Sequence, residues 1–288
     1  MKVKKFFEVK NITQASADIY IYGAICLEKD VNWWTGETIE SDTDIYLMDF
    51  KKALDEIGNV SLLNLYINSP GGDVFVTSTI ISMLRRLKDK GTKIEVYVDA
   101  LAASAASFLI MIADNIHVYQ NSMIMVHKPM TYGYGNSIDL QKIIDELNQV
   151  ENSTMLPMYM SKAKEGITED EIKELIANES WLGAKEIEKY FDIIVEEDVK
   201  TVAACTSKKI FANYKNVPKE LIKANIDEEQ QEDLKTQEEN KTEITEVQND
   251  NQTVENNNVE KEAIIRNKLK LISASLFIKQ KNKMKEGI

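Results

Sequence analysis

Two histidines occur in the 288-residue chain. One of them, His127, closes the apolar run Met123-Ile124-Met125-Val126 and is followed by Lys128-Pro129. Twenty-three residues upstream, Ser104 stands in a run of small residues, Ala102-Ala103-Ser104-Ala105-Ala106-Ser107. An imidazole at a strand end and a hydroxyl flanked by alanines are the parts that a serine nucleophile and its general base require. A serine at a helix N-terminus is commonly just an N-cap, but a cap has no need of alanines on both sides. Here they leave room for a substrate carbonyl, and the Ala105 N–H points to the same place as Ser104 Oγ. Ser107 is the competing hydroxyl; it lies one turn deeper and should pack within the helix. His117 falls inside a strand and reads as structural or exposed.

A second feature is the loop Asn68-Ser69-Pro70-Gly71-Gly72-Asp73, which follows a strand and opens a helix. Two successive glycines let backbone N–H groups face a ligand beside a positive helix end. The loop reads either as half of an oxyanion hole or as a tight turn that merely needs glycine. An imidazole base also calls for a carboxylate that orients it and stabilises its protonated form. Asp114, Asp139, Glu165 and Glu179 are the candidates, and spacing does not choose among them. Glu179 stands out because it ends a helix and precedes Ser180-Trp181-Leu182, which would bury it.

These residues need a frame. Residues 15–205 read as one α/β unit in which strands alternate with helices, implying parallel pairing and right-handed crossovers. The run 19–23 is β-prone, and 44–57 has helical spacing with Ile45, Met48, Ala53, Leu54 and Ile57 on one side. Strands follow at 62–67, 94–98 and 116–119, and helices at 74–87 and 104–113. The stretch 99–103 reads as a small-residue turn leading into Ser104. Beyond His127, residues 131–136 form a glycine-aromatic stretch that is expected to be extended. A long amphipathic helix is then expected over 138–164, interrupted only by Pro157. Thr168 and Glu171 make a capping box for a helix to Ala177, and 181–195 reads as a short helix followed by a strand.

Composition narrows the function. The net charge is −12, from 35 basic and 47 acidic residues, which argues against a nucleic-acid-binding surface. The excess acidity is concentrated between Asp227 and Glu262. The two cysteines, Cys26 and Cys205, form no spaced framework and fit a reducing compartment. No run approaches a membrane span, and the N-terminus lacks the apolar core of a signal peptide. The expectation is a cytoplasmic protein of three parts. Residues 1–215 form the catalytic domain, 216–262 an acidic, disordered linker, and 263–288 a terminal amphipathic helix.

Three segments carry a family resemblance: Tyr66-Ile67-Asn68-Ser69-Pro70-Gly71-Gly72, Ala102 through Leu109, and Asn121 through Pro129. Together they resemble the ClpP family of serine peptidases, over roughly residues 15–200. The resemblance implies the ClpP/crotonase-like fold of repeated βαβ units, with Ser104 as nucleophile and His127 as base. It implies Gly72, in the Gly71-Gly72 loop, and Ala105, beside Ser104, as backbone oxyanion donors, and a handle at Gly133–Gly135 and the following helix that grips substrate and interlocks subunits. No cofactor or metal is implied. The partners implied are peptide or unfolded protein and further copies of the chain in a ring.

The family's third member is usually aspartate, and the matching position here is Glu179. Ala100 stands where glycine is common. The insertion from Glu28 to Ser41, with its paired Trp33-Trp34, and the acidic tail resemble the bacteriophage ClpP-like head maturation proteases. A Clp-type subunit fed by an ATP-driven unfoldase and a protease acting on capsid or scaffold proteins are both open. The chain has no phosphate-binding loop, so any ATP use belongs to a partner. The competing readings are a catalytically silent ring subunit and a crotonase-type acyl-CoA enzyme, against which retention of Ser104 and His127 counts.

Overall fold

The computed structural model describes residues 7–31, 35, 37–39, 41, 44–197 and 214–218. The Trp33-Trp34 pair, Cys205, the linker beyond residue 218 and the 263–288 segment lie outside the described residues.

A mixed sheet forms the centre. Its order is β1 (Phe7–Lys10), β2 (Ser16–Ile21), β7 (Leu62–Ser69), β8 (Lys93–Ala103), β10 (Met123–Val126) and β11 (Ser180–Gly183). Strand β9 (Asn115–Tyr119) pairs with β8 and with β12 (Ile194–Glu196). The pairs β2–β7, β7–β8, β8–β9, β8–β10 and β9–β12 are parallel, whereas β1–β2 and β10–β11 are antiparallel. Two small ladders lie apart, β3 (Ala24–Cys26) with β6 (Asp44–Tyr46) and β4 (Asp30–Val31) with β5 (Thr38–Ile39).

Alternation explains the central strands. Leu63, Leu65 and Ile67 of β7 and Ile94, Val96 and Val98 of β8 are fully buried. Helix α1 (Leu47–Ile57) precedes β7, and helix α2 (Val74–Asp89) crosses from β7 to β8. Ile80, Leu84 and Leu87 give α2 its core face. Asp73 caps α2 by accepting from the Val76 N–H at 2.8 Å, and Arg86 and Lys88 sit in its last turn.

Strand β8 decides where the site lies. Its first half, Glu95 to Val98, pairs with β9, and its second half, Leu101 to Ala103, pairs with β10. Between them the register against β7 shifts, so that Ile67 faces Val98 and Ser69 faces Ala102. Residues 99–103 therefore continue the strand and do not form the expected turn. The bulge lets one strand serve two neighbours and brings the carboxyl ends of β7, β8 and β10 together.

Other boundaries differ for identifiable reasons. The expected helix at 44–57 begins only at Leu47, because residues 44–46 pair with β3. Met48 is then 57% exposed, and Phe50, fully buried, takes the inward place. The helix after Ser104 is short, α3 (Ala105–Leu109), and tightens into a 3₁₀ turn at Ile110–Ile112. The helix expected over 138–164 is three pieces: α4 (Ser137–Val150), a π-helical turn Glu151–Met155, and α5 (Leu156–Met160). Buried Glu151 opens that turn and accepts from Lys128 Nζ at 3.0 Å, while Pro157 sits in the first turn of α5, where a missing N–H is harmless. Helix α6 (Glu169–Ala177) has the Thr168–Glu171 capping box. Trp181 belongs to strand β11, with α7 (Ala184–Ile187) following it.

Phe50→Ala is expected to lower the unfolding free energy by about 3–5 kcal/mol. Met48→Ala should change it by less than about 0.5 kcal/mol. Denaturant melts of the two variants test this placement of α1.

Candidate active site

Ser104 occupies the turn between β8 and α3 with φ 53° and ψ −124°. A non-glycine residue at positive φ costs on the order of 1–3 kcal/mol and persists only where its surroundings hold it. Those surroundings are specific. The Ser104 N–H donates to Met125 O at 2.9 Å, and Ser107 Oγ donates to Ser104 O at 2.6 Å. Ser107 Oγ in turn lies 2.6 Å from the hydroxyl of fully buried Tyr159. Ser107 thus packs within the helix, as expected. The Ser104 side chain caps no helix N–H. Its Oγ lies 2.7 Å from His127 Nε2.

His127 directly follows β10 and is 5% exposed. Burial lowers its pKa below the ordinary histidine value, because the charged imidazolium loses hydration. The negative charge of Glu179 opposes this in part. A neutral ring with its proton on Nδ1 leaves Nε2 to accept the Ser104 O–H.

The Gly71-Gly72 loop is stitched to β3. Ile25 N–H donates to Gly71 O and Asp73 N–H to Ile25 O, each at 2.8 Å. Gly71 has φ 93°, and a Cβ there would lie 2.8 Å from Ser104 Cβ and 2.5 Å from Ala103 O. Only glycine lets this loop back onto the serine turn. The Gly71 N–H is taken by Ser69 Oγ at 3.1 Å, so Gly71 shapes the loop and does not face a ligand as a donor. The Gly72 N–H has no acceptor among the described residues. Ala105 begins α3, where a first-turn N–H has no partner within the helix.

Of the four acids, two are committed elsewhere. Asp114 pairs with Lys88 at 2.9 Å and accepts from the Ile94 N–H, and Asp139 completes the capping box of α4. Glu165 is exposed on a turn. Glu179 is the acid whose charge acts on His127. It sits just past α6 at φ 49°, a position that glycine or asparagine ordinarily takes. It is half-buried, not enclosed as its apolar neighbours suggested, and its carboxylate turns elsewhere. Its Oε1 accepts from the N–H groups of Lys215 and Asn216 at 2.7 and 2.6 Å. Among the described residues no hydrogen bond joins it to His127.

A cleft of about 590 Å³ opens beside this group, lined by Gly72, Ser104, Phe108, His127, Met130 and Met155. Gly133 is not among its walls; the space a Cβ would need there is filled by Ile143 of α4. His117 stands apart, bound by Glu196 and Glu95 at 2.7 and 3.0 Å and stacked on Tyr97. Tyr214 escaped sequence reasoning. Its ring meets His127 edge to face at 5.4 Å, and its only signal is an aromatic residue just before the polar tail.

A hydroxyl on a neutral imidazole, with open N–H groups at the carboxyl ends of parallel strands, is an arrangement suited to acyl transfer. The family comparison points the same way: a family model described as Clp protease matches residues 18–197, which is the sheet from β2 to β12. The chain belongs to the Clp protease family, a family of serine peptidases.

An added Cβ at Gly72 would lie 2.1 Å from Ile25 O. Gly72→Ala is therefore expected to displace the loop and slow serine acylation by about 10²-fold or more. Acylation kinetics on a protein shown by circular dichroism to keep its fold test this.

Proposed function

We propose that the chain is a serine endopeptidase in which Ser104 is the nucleophile, His127 the general base and Glu179 the third member. The observation that carries the reading is the 2.7 Å contact between Ser104 Oγ and His127 Nε2 on a strained, part-buried turn. Ser104 Oγ attacks the peptide carbonyl while its proton passes to Nε2. The Gly72 and Ala105 N–H groups hold the resulting oxyanion. Collapse of the tetrahedral intermediate breaks the C–N bond, and His127 returns the proton to the departing amine. Water then attacks the acyl-enzyme, giving its proton to His127, and the carboxylic acid leaves as Ser104 regains its hydrogen.

Assembly into a ring with internal sites is supported by α4, which buries none of its residues in the single chain. It exposes Ile138, Leu140 and Ile144, and Tyr132 and Tyr134 stand out beside it. Apolar surface of this kind is what a contact between copies covers. The setting we favour is trimming of capsid or scaffold proteins in a bacteriophage head, on the strength of the 28–41 insertion and the acidic tail. Degradation of substrates fed by an ATP-driven unfoldase is the other setting. A catalytically silent ring subunit is the second reading, favoured by the absence of a described Glu179–His127 hydrogen bond.

Hydrolysis of an unfolded protein decides between them. Ser104→Ala and His127→Ala should each lose about 10⁴-fold or more in turnover, and Glu179→Gln up to about 10⁴-fold. Activity should rise with pH through a midpoint below about 6.5, since His127 must be neutral to accept the proton. Glu179→Gln should move that midpoint lower still, because it removes the charge that favours the imidazolium. Turnover that survives Ser104→Ala, or a midpoint that rises in Glu179→Gln, would contradict the assignment.

A further inference from the structure

The segment Tyr214–Pro218 lies against the catalytic group, although 16 residues lie between it and Glu197, the last described residue of the sheet domain. Four kinds of contact hold it. The Tyr214 hydroxyl donates to Pro70 O at 2.8 Å, in the loop that carries Gly71 and Gly72. The Tyr214 ring packs edge to face on both His127 and Trp181, at 5.4 and 5.8 Å. The N–H groups of Lys215 and Asn216 converge on Glu179 Oε1, and Asn216 Nδ2 donates to Asn178 O at 2.9 Å. Val217 packs on the patch formed by Leu101, Ala103 and Met125, the residues where β8 meets β10.

Each contact has a consequence for the site. The phenol spans from the oxyanion loop to the imidazole, so it covers one side of the Ser104–His127 pair. Burial there raises its pKa, while the nearby Ser104 hydroxyl acts in the opposite direction by favouring the phenolate. The two backbone N–H groups hold one oxygen of the carboxylate whose charge acts on His127. A charged acceptor taking two N–H bonds is a strong anchor, stronger than neutral bonds of the same length.

We propose that the space bounded by Pro70, Ser104, His127 and Trp181 is a binding site for a tyrosyl side chain, and that Tyr214–Val217 fills it as an internal strap restraining the enzyme. Engaged, the strap covers one side of the Ser104–His127 pair and holds Glu179 by its Oε1, away from the imidazole. Released, it opens that side and frees the carboxylate for the ring. The strap lies just before the acidic tail in sequence, so a partner or a cut that draws on the tail can pull it free. The proposal rests on the serine peptidase reading of the same site.

The experiment is the rate at which a small fluorophosphonate probe acylates the full-length protein. A site restrained most of the time reacts in proportion to its released fraction, so Tyr214→Ala is expected to label about tenfold or more faster than wild type. Tyr214→Phe keeps the ring and loses the bond to Pro70 O, and should label about two- to tenfold faster. Val217→Asp breaks the far anchor without touching the site and should reproduce the Tyr214→Ala rate, which guards against a folding defect in either variant. Labelling of Ser104 in all four proteins at one rate, or slower in the variants, overturns the strap while leaving the peptidase reading intact. No labelling in any of them overturns both.

Discussion

The backbone hydrogen bond from the Ser104 N–H to Met125 O, at 2.9 Å, joins the turn after β8 to the strand that ends in His127. It extends the parallel ladder in which Ala103 faces Met125, and so fixes two side chains from distant parts of the sequence within hydrogen-bond reach. The bond exists because β8 runs to Ala103 and changes neighbours along its length. Alanines at 102 and 103 are fully buried there, and larger side chains would hold the strands and the glycine loop apart. Position of the Ser104 hydroxyl is thus a property of sheet register.

Strain and burial follow from that constraint. Ser104 and Glu179 both hold positive φ without being glycine, at 53° and 49°. Each lies at the junction of a regular element with the site, where the packed frame over-determines the backbone. The same enclosure favours the neutral form of His127, with the charge of Glu179 opposing it. In the proposed reaction, a base that must accept a proton near neutrality gains from the first effect, and its protonated form gains from the second. The strap at Tyr214 acts on both at once, since it adds to the enclosure and binds the carboxylate.

Much of this was legible in the residues. The serine, the histidine and the double glycine stood out because their types are unusual in apolar, small-residue runs, and local sequence carries such signals well. Asp73 as cap and Thr168 with Glu171 as capping box are also local, the second a pattern of residue types at fixed spacing. What stayed hidden was set by tertiary pairing. Residues 99–103 look like a turn until β10 offers them a ladder, and 44–46 look helical until β3 pairs with them. The π-helical turn opens at Glu151, whose partner Lys128 is 23 residues away. Glu179 was singled out among four acids, but the direction its carboxylate takes depends on Lys215 and Asn216, 36 and 37 residues on. No spacing rule reaches that far.

The central claim is that one hydroxyl in the chain is activated by one imidazole. Mass-spectrometric mapping of the protein after reaction with a fluorophosphonate tests it directly. The account expects a single adduct per chain, on Ser104, and none in His127→Ala over the same time. An adduct on Ser107 or spread over several serines would contradict it, as would undiminished reaction at Ser104 without the histidine.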